Sequence, residues 1–144
     1  MYKLAICYHY GERIEKNLEK ALYWYQKTAE NNNKKAQYNL AILYEKGEGT
    51  EKDLEKAFYW YQKAAENGDN YAQNNLALLY KNGEGTEKDL EKAFYWYQKA
   101  AESGDIYAQN NLALLYKKGE GTEKNLEKAF YWYQKAAENG NEYA

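Results

Sequence analysis

Hydrophobic residues recur along this chain at the spacing of an amphipathic helix. Every block of 36 residues contains two such helical patterns. In the third block, Ala72, Leu76 and Leu79 follow the i, i+4, i+7 spacing, and Tyr80 extends the same stripe. This pattern predicts a first helix from Ala72 to Asn82. A second predicted helix, residues 90–102, carries an apolar arc of roughly 160°. The arc consists of Leu90, Ala93, Phe94, Trp96, Tyr97, Ala100 and Ala101.

The two-helix block recurs four times. Residues 51–86 and 87–122 are nearly identical, and every block has one tryptophan and one glycine at fixed places. These markers are Trp24, Trp60, Trp96 and Trp132, and Gly11, Gly47, Gly83 and Gly119. A fixed period between about 20 and 50 residues is typical of a repeat array, in which each repeat contacts only its neighbours. Such arrays present an extended surface, so binding is the first functional expectation.

Turn residues mark the ends of the predicted helices. Gly83 and Gly104 stand where a left-handed residue commonly ends a helix, and Asn32 replaces the second of these glycines in the first block. Asp89 is the predicted N-cap of the second helix. The absence of proline suits helices joined by glycine-based turns.

These patterns predict an all-α fold, a superhelix (solenoid) of four 36-residue helix–turn–helix repeats in one domain, residues 1–144. The predicted repeats are 1–35 (truncated at its N-terminus), 36–71, 72–107 and 108–143, with the later first helices beginning at Ala36, Ala72 and Ala108. Both chain ends interrupt a repeat, and Ala144 would open a fifth. We therefore expect a segment of a longer array, or an engineered repeat protein.

An apolar arc as wide as that of the second helix must contact two partners, its own first helix and the next repeat. Trp60 and Trp96 are therefore expected to be buried, and their truncation to be strongly destabilising. Cys7 stands where later repeats have leucines such as Leu43 and Leu79. We expect it to be a small buried apolar residue rather than a nucleophile.

Charge and composition narrow the range of partners. The formal net charge of -2 offers no bulk attraction for nucleic acid or for an acidic membrane. The sequence has no run of some 18 apolar residues and no apolar signal-peptide core at its start. Its single cysteine cannot form an internal disulfide. We therefore expect a cytoplasmic protein that binds neither nucleic acid nor membrane.

The repeat resembles a known family. The succession of Leu76, Ala77 and Tyr80, then Ala93, Tyr97 and Ala100, follows the tetratricopeptide framework with a longer turn. Together with Gly83-Glu84-Gly85, Asp89, Trp96-Tyr97-Gln98-Lys99-Ala100-Ala101, Gly104 and Ala108-Gln109, it is similar to the Sel-one-like repeats along the whole chain. The resemblance implies a related α-solenoid that acts as a scaffold or adaptor. Arg13, in place of the second loop glycine, departs from the pattern, and the disulfide of the family's cysteine-rich bacterial branch has no counterpart here.

No catalytic pattern is present among the reactive residue types. The GEGTEK loops lack the third glycine of a dinucleotide fingerprint, where Lys88 stands, and no strand is predicted before them. His9 and Cys7 occur singly, too few for a zinc site of three or four protein ligands. Glu84 and Glu87 lie on an exposed turn. We predict no enzyme activity, no catalytic residue, no cofactor and no metal site.

The outward positions of the first helices form the first candidate binding surface, because first helices line the concave side of tetratricopeptide-like superhelices. In repeat one these positions are Tyr2, Ile6, His9 and Tyr10. In the later repeats they are Tyr38, Ile42, Glu45, Lys46, Asn74, Leu78, Lys81, Asn82, Asn110, Leu114, Lys117 and Lys118. The central aliphatic residues are not needed for packing at these angles, which favours an extended peptide. Packing between neighbouring first helices is an equal alternative. The charged members sum to +3, so the predicted ligand is acidic.

A second ladder lies in the polar arc of the second helices. It consists of Tyr23, Tyr59, Tyr95 and Tyr131. Tyrosine suits interfaces, so a contact surface on the convex side is one interpretation. The favoured interpretation is a ring that lies over its own helix, held by lysine stems. For Asn39, Asn75 and Asn111, a structural role is likewise favoured over binding a peptide backbone.

Three functional hypotheses follow from the sequence. The leading one is a protein-interaction scaffold or adaptor that binds a partner protein or an extended peptide on the concave face. The second is a structural array that associates end to end, since nearly identical repeats can stack head to tail. The third is an engineered consensus-repeat scaffold, against which the irregular NNNKK stretch and the divergent first repeat argue.

Overall fold

A computed structural model of the chain describes residues 1–141, and these residues form eight helices and no strand. The helices are α1 (Tyr2–Tyr10), α2 (Leu18–Glu30), α3 (Lys34–Lys46), α4 (Leu54–Glu66), α5 (Asn70–Asn82), α6 (Leu90–Glu102), α7 (Ile106–Lys118) and α8 (Leu126–Asn141). The all-α prediction of two helices per repeat is confirmed. The predicted boundary at residue 143 and the start of a fifth repeat at Ala144 lie outside the described residues.

The helices group into two compact units. Unit 1 spans Met1–Asp69 and contains α1–α4, and unit 2 begins at Asn70 and contains α5–α8. Within unit 1, α2 packs against both α1 and α3, and within unit 2, α6 packs against both α5 and α7. The prediction that a second helix contacts its own first helix and the next repeat is therefore confirmed inside each unit.

The first helices begin two residues earlier than predicted, at Lys34, Asn70 and Ile106. The reason is a capping side chain just before the helix. Asn33 accepts a hydrogen bond from the Ala36 amide at 2.9 Å, which satisfies a backbone group that the helix itself leaves unpaired. Asp105 caps α7 in the same way.

The second helix of the third repeat, α6, begins and ends as predicted, whereas α8 is three residues longer than α6. Asp89 caps α6 through a 3.0 Å bond from the Lys92 amide. Gly83 has a left-handed φ of 68°, and Gly104 one of 93°. Asn32, the substitute for the latter glycine, adopts a φ of 64°, as expected for an asparagine in this role.

Tyrosines, not tryptophans, occupy the centre of the core. Tyr61 and Tyr97 are fully buried among alanines, whereas Trp60 and Trp96 are only half-buried, so the predicted burial of the tryptophans is wrong. Tyr61 lies on the stripe of Ala57, four residues earlier, which points into the helix pair. The indole of Trp60 is turned away by about 100° and packs edge-on against the ring of Tyr59, with centroids 5.0 Å apart.

A tyrosine–lysine contact ties the two helices of each repeat together. The Nζ of Lys56 lies 5.4 Å from the ring centroid of Tyr44, and that of Lys92 lies 5.5 Å from Tyr80. Both tyrosines are buried, so the lysine covers the last face of a ring that the core does not cover. Next to this contact, the Asp53 amide donates to the Tyr44 carbonyl at 2.9 Å, which closes the turn between the helices.

The second loop glycine allows a close approach to the preceding repeat. A Cβ atom on Gly49 would collide with the carbonyl oxygen of Leu18 at the start of α2, and one on Gly121 would collide with that of Leu90. Both glycines also have positive φ angles. Arg13 takes this place in the first repeat and keeps the left-handed φ, 67°, in spite of its side chain.

Cys7 is half-buried rather than buried, contrary to expectation. Its equivalents Leu43 and Leu115 are fully buried. They belong to helices α3 and α7, which pack between two second helices, whereas α1 packs mainly against α2 alone. The sulfur therefore has fewer neighbours than a core leucine.

Two glycines in unit 2 provide a matched pair of substitutions. Gly104→Ala meets no atom within 4 Å and should cost about 1–2 kcal/mol, the penalty of an alanine in the left-handed region. Gly121→Ala carries that penalty and also a clash with backbone, so we expect a loss larger by about 2 kcal/mol. Denaturant unfolding measures both. Equal losses would contradict the close approach of this loop to α6.

The corrected core predicts that Tyr61→Ala is more damaging than Trp60→Ala. Complete removal of a buried aromatic ring costs about 3–5 kcal/mol, and a half-buried ring should cost about half as much. Chemical denaturation of the two variants against the parent chain checks the order. A larger loss for Trp60→Ala would contradict the assignment of Tyr61 to the centre of the core.

The cap of α7 predicts a pH dependence. Burial raises the pKa of the Asp105 carboxyl above 3.8, and the bonds from the Ala108 and Tyr107 amides offset this only in part. A raised folded-state pKa means that the charged form destabilises the fold at neutral pH, and this penalty fades as the pH falls towards 3.8.

Asp105→Asn keeps a good cap without the buried charge, as Asn33 does in α3. We expect a gain of about 0.5–1 kcal/mol at pH 7 that shrinks between pH 7 and pH 4. Thermal unfolding across this range is the measurement, with Asp89→Asn at a half-exposed cap as the control. A loss of stability at pH 7 would contradict the prediction.

Candidate functional site

The outward positions of the first helices are accessible in both units. We call the predicted positions on α1 and α3 the unit 1 face, and those on α5 and α7 the unit 2 face. The unit 1 face has Tyr2, Ile6, His9, Tyr10, Tyr38, Ile42, Glu45 and Lys46, and the unit 2 face has Asn74, Leu78, Lys81, Asn82, Asn110, Leu114, Lys117 and Lys118. All of these side chains are half-buried or exposed.

The unit 1 face is aromatic, and Tyr2 and His9 on it bond to neighbouring side chains of the same unit. The ring of Tyr2 packs on buried Tyr25 with centroids 6.1 Å apart. His9 stacks on Tyr10 at 4.4 Å, and its Nδ1 lies 3.0 Å from the Tyr25 hydroxyl. Asn39 donates to the Tyr2 hydroxyl at 3.1 Å, which supports the structural role expected for this asparagine.

Burial keeps His9 neutral over a wider pH range than usual. Desolvation is the main cause that lowers the pKa of its imidazole, and the nearby cations Lys16 and Lys46 act in the same direction. Glu48 opposes them. A neutral ring suits the bond to the Tyr25 hydroxyl, because one ring nitrogen remains available as an acceptor.

The unit 2 face has a different character: leucine at the centre, amides on one side and lysines on the other. The side chain of Leu78 is 45% exposed, and Leu114 holds the same place in the next repeat. The positive charges are Lys81, Lys117 and Lys118. In residues 1–141 the ion pairs are Lys56–Asp53 and Lys92–Asp89, so these three lysines have no carboxylate partner there.

The predicted positive charge therefore lies on unit 2. On the unit 1 face, Glu45 and Lys46 cancel, whereas the unit 2 face has lysines and no acidic side chain. Glu84 lies at the edge of that face and accepts a hydrogen bond from Asn82 at 3.2 Å.

The tyrosine ladder on the second helices adopts the arrangement favoured from the sequence. In each repeat the tyrosine is about half exposed, and a lysine one turn later covers its ring: Lys63 lies 5.6 Å from the centroid of Tyr59, and Lys99 lies 5.5 Å from that of Tyr95. The other two members, Tyr23 and Tyr131, are held by Lys27 and Lys135. One side of each ring is thus already occupied.

A groove beside this ladder was not predicted. In unit 1 it has a volume of about 250 Å³ and is lined by Ala29, Glu30, Asn32, Gln37, Tyr59, Trp60 and Lys63. The equivalent groove of unit 2 has about 330 Å³ and is lined by Ala101, Glu102, Gly104, Gln109, Tyr131, Trp132, Lys135 and Asn139. Each groove is lined by side chains that are some 30 residues apart in the sequence. The periodicity of a single helix does not predict that such residues lie together.

The two grooves differ in one buried amide. In unit 2, Asn139 donates to Gln109 Oε1 at 3.1 Å. In unit 1 the equivalent oxygen of Gln37 is buried without a donor, because Asn67 instead donates to the Asn32 carbonyl at 2.9 Å. The replacement of glycine by Asn32 therefore changes the hydrogen bonding of its neighbours.

The His, Cys, Asp and Glu side chains do not form a cluster suited to metal binding in residues 1–141. No three His, Cys, Asp or Glu side chains in residues 1–141 are placed to hold a metal ion. None of the helices in that part of the chain combines the length and apolar character that crossing a membrane requires.

Comparison with known proteins identifies the repeat. The Sel1 repeat family model matches residues 1–33, 34–69, 70–105 and 106–141. The last three stretches begin at the first residues of α3, α5 and α7, so the family boundaries coincide with the observed helices. A comparison with curated proteins gives no match.

Solved structures agree with this assignment. A Sel1 repeat protein from Oxalobacter formigenes is 41% identical over 97% of the chain, with a TM-score of 0.91. A protective antigen of uropathogenic Escherichia coli strains, displaying an SLR fold, is 34% identical over 96% of the chain, with a TM-score of 0.94. The chain spans 58% and 30% of these two proteins. Cysteine rich protein B of Helicobacter pylori is 29% identical, with a TM-score of 0.68; the match covers 87% of this chain and 90% of that protein.

Sel1 repeats are generally protein–protein interaction modules, and scaffold proteins built from them are generally non-catalytic. The family model covers all four helix pairs, and the similar solved structures have the same solenoid fold. This chain therefore belongs to the Sel1 repeat family.

Proposed function

We propose that this chain is a non-catalytic adaptor module that binds an extended, acidic segment of a partner protein on the unit 2 face. The observation that carries the proposal is Leu78, whose side chain is 45% exposed beside lysines that have no carboxylate partner in residues 1–141. Leu78 and the half-buried Leu114 together give this face an apolar centre beside those lysines, and an extended ligand with apolar and acidic side chains complements both features.

The arrangement of unit 2 supports an extended ligand. Both α5 and α7 pack against α6, so their outward faces flank the same helix. Leu78 and Leu114 are equivalent residues of consecutive repeats, and each has amides on one side and lysines on the other. A ligand with alternating apolar and acidic side chains matches this order.

Charge and apolar contacts have separate roles in such a complex. Lysines at a solvent-facing site act mainly on the association rate and its salt dependence, whereas apolar contacts govern dissociation. With a net charge of -2 the chain is not suited to bind nucleic acid or an acidic membrane, and we propose a cytoplasmic protein partner.

End-to-end association is the second candidate function, and α8 supports it. Phe130 is 70% exposed and Tyr133 is 38% exposed, whereas their equivalents on α6, Phe94 and Tyr97, are half-buried and fully buried. In unit 2 it is α7 that packs beside α6, so the first helix of another copy is a fitting occupant of the same surface on α8. Light scattering over a concentration series tests it, since a mass that stays monomeric would rule it out.

The leading proposal predicts a separation of rate effects. The probe is a capped heptapeptide, Asp-Leu-Glu-Leu-Asp-Leu-Glu, with binding kinetics measured at several salt concentrations. The double variant Lys81→Glu and Lys117→Glu should slow association about tenfold and flatten the salt dependence. Leu78→Ala should mainly speed dissociation, by roughly five- to tenfold.

A matched control makes the same charge change in unit 2 away from the face. The double variant Lys99→Glu and Lys135→Glu alters the tyrosine ladder and should leave the kinetics close to those of the parent chain. If the face variants bind like the parent and the ladder variant does not, the ladder is the binding surface instead.

A further inference from the structure

Two polar atoms lie buried and unpartnered in the third repeat, under the unit 2 face. They are the hydroxyl oxygen of Tyr97 and the Oδ1 of Asn74. The side chain of Tyr97 is 0% exposed, so water does not satisfy its hydroxyl in this arrangement. A buried polar group without a partner costs stability, and a group that persists in this state calls for an explanation.

The first repeat shows what its geometry offers to such a hydroxyl. Tyr25 is equivalent to Tyr97, and its hydroxyl lies 3.0 Å from Nδ1 of His9. The ring of Tyr2 covers Tyr25, with centroids 6.1 Å apart. The position of His9 on the first helix is thus the one whose side chain reaches the buried tyrosine hydroxyl, and the position of Tyr2 is the one that covers its ring.

In the third repeat the same two positions hold Lys81 and Asn74. Asparagine places an amide where the first repeat has an aromatic ring, and the Tyr97 ring nevertheless remains fully buried. Lysine replaces the imidazole with a cationic donor. By the equivalence of the repeats, Lys81 and Asn74 hold the two positions next to an unpartnered hydroxyl that His9 and Tyr2 hold in the first repeat.

We infer that Lys81, the Tyr97 hydroxyl and the Asn74 amide form a binding site for a single carboxylate, supplied by an aspartate or glutamate side chain of the bound polypeptide. This inference rests on the proposed function and identifies which side chain of the ligand the unit 2 face selects.

The donor set fits a carboxylate. An ionised carboxylate only accepts hydrogen bonds, and all three groups carry protons to donate: an ammonium, a phenol and an amide. Burial raises the pKa of the Tyr97 hydroxyl, so that it remains a donor at every physiological pH. Asn74 has its Oδ1 buried and unpartnered, and its amide nitrogen is the donor that this side chain would offer.

The surrounding charges favour the same ligand. Lys117 stands at the equivalent place on α7, and Lys118 follows it. Glu84 at the edge of the face already accepts a hydrogen bond from Asn82 at 3.2 Å. A carboxylate that enters here meets positive charge in a partly desolvated setting, where hydrogen bonds to a charged group are stronger than at an exposed site.

The other repeats do not combine these features. In the first repeat, His9 already forms a hydrogen bond with the tyrosine hydroxyl. In the second repeat, the position equivalent to Lys81 holds Glu45, which would repel a carboxylate. The fourth has Asn110 and Lys117 on its first helix, but its tyrosine, Tyr133, is 38% exposed and open to water. The inference therefore assigns the site to the third repeat.

The first test removes only the hydroxyl. Affinities are measured for the acidic heptapeptide and for its neutral counterpart, capped Asn-Leu-Gln-Leu-Asn-Leu-Gln. Tyr97→Phe should reduce the preference for the acidic peptide by about tenfold and leave the affinity for the neutral one unchanged. Tyr133→Phe, the same change in the fourth repeat, should leave the preference intact.

Stability provides an independent readout for the same variant. Because the hydroxyl of Tyr97 has no partner, Tyr97→Phe should unfold at the same denaturant concentration as the parent chain or at a higher one. A clear decrease would show that the hydroxyl has an internal partner, and the inference would be overturned.

The second test introduces the histidine of the first repeat at the equivalent position of the third repeat. In the Lys81→His variant, the imidazole should form a hydrogen bond with the Tyr97 hydroxyl, as His9 does with the hydroxyl of Tyr25. The preference for the acidic peptide should therefore be lost at pH 8. Retention of the full preference in both Tyr97→Phe and Lys81→His overturns the site. In that case the proposed function still stands if Leu78→Ala weakens both peptides, whereas a chain that binds neither peptide contradicts both ideas.

Discussion

The second helix of each repeat carries an apolar stripe too wide for one neighbour, and the rest of the structure depends on covering it. In unit 1, α2 lies against α1 and α3, and in unit 2, α6 lies against α5 and α7. The stripe combines small residues with one ring, as in Ala93 and Tyr97, so helices approach closely around a large buried side chain. Both sides of the helix are engaged in packing, which leaves the outward faces of the first helices free to differ between repeats.

Repetition made most of the fold predictable, and the errors have specific physical causes. The helix pairs, the cap at Asp89 and the left-handed glycines follow from periodicity and turn chemistry. The first helices begin earlier than their apolar stripe indicates, because the stripe starts at Ala36, whereas the helix begins after the capping side chain of Asn33. The sequence predicts burial of Trp60 because Trp60 and Tyr61 both fall within the wide apolar arc, and only the contacts of the folded chain show that Tyr61 is central.

Helical angles predict which positions point outward, but they do not predict which of those side chains form hydrogen bonds within the fold. Whether a residue at such a position bonds within the fold or remains open depends on side chains from another helix. His9 bonds to Tyr25, sixteen residues later, whereas the equivalent Tyr97 has no partner. Periodicity along one helix contains no information about such pairs. For this reason the two units share a backbone pattern and differ in the surfaces that they present.

The joints between repeats inside each unit are made from the same parts. A loop glycine lies under a backbone carbonyl of the preceding second helix, Gly49 under Leu18 and Gly121 under Leu90. Because the contact involves backbone and a missing side chain, it does not depend on the identity of the neighbouring repeat. A DNA segment that encodes one 36-residue block can therefore be duplicated or lost in frame without creating a new kind of junction. Such an array can change its length by recombination faster than a globular core can change its size, and each new copy begins as a spare surface on which substitutions accumulate.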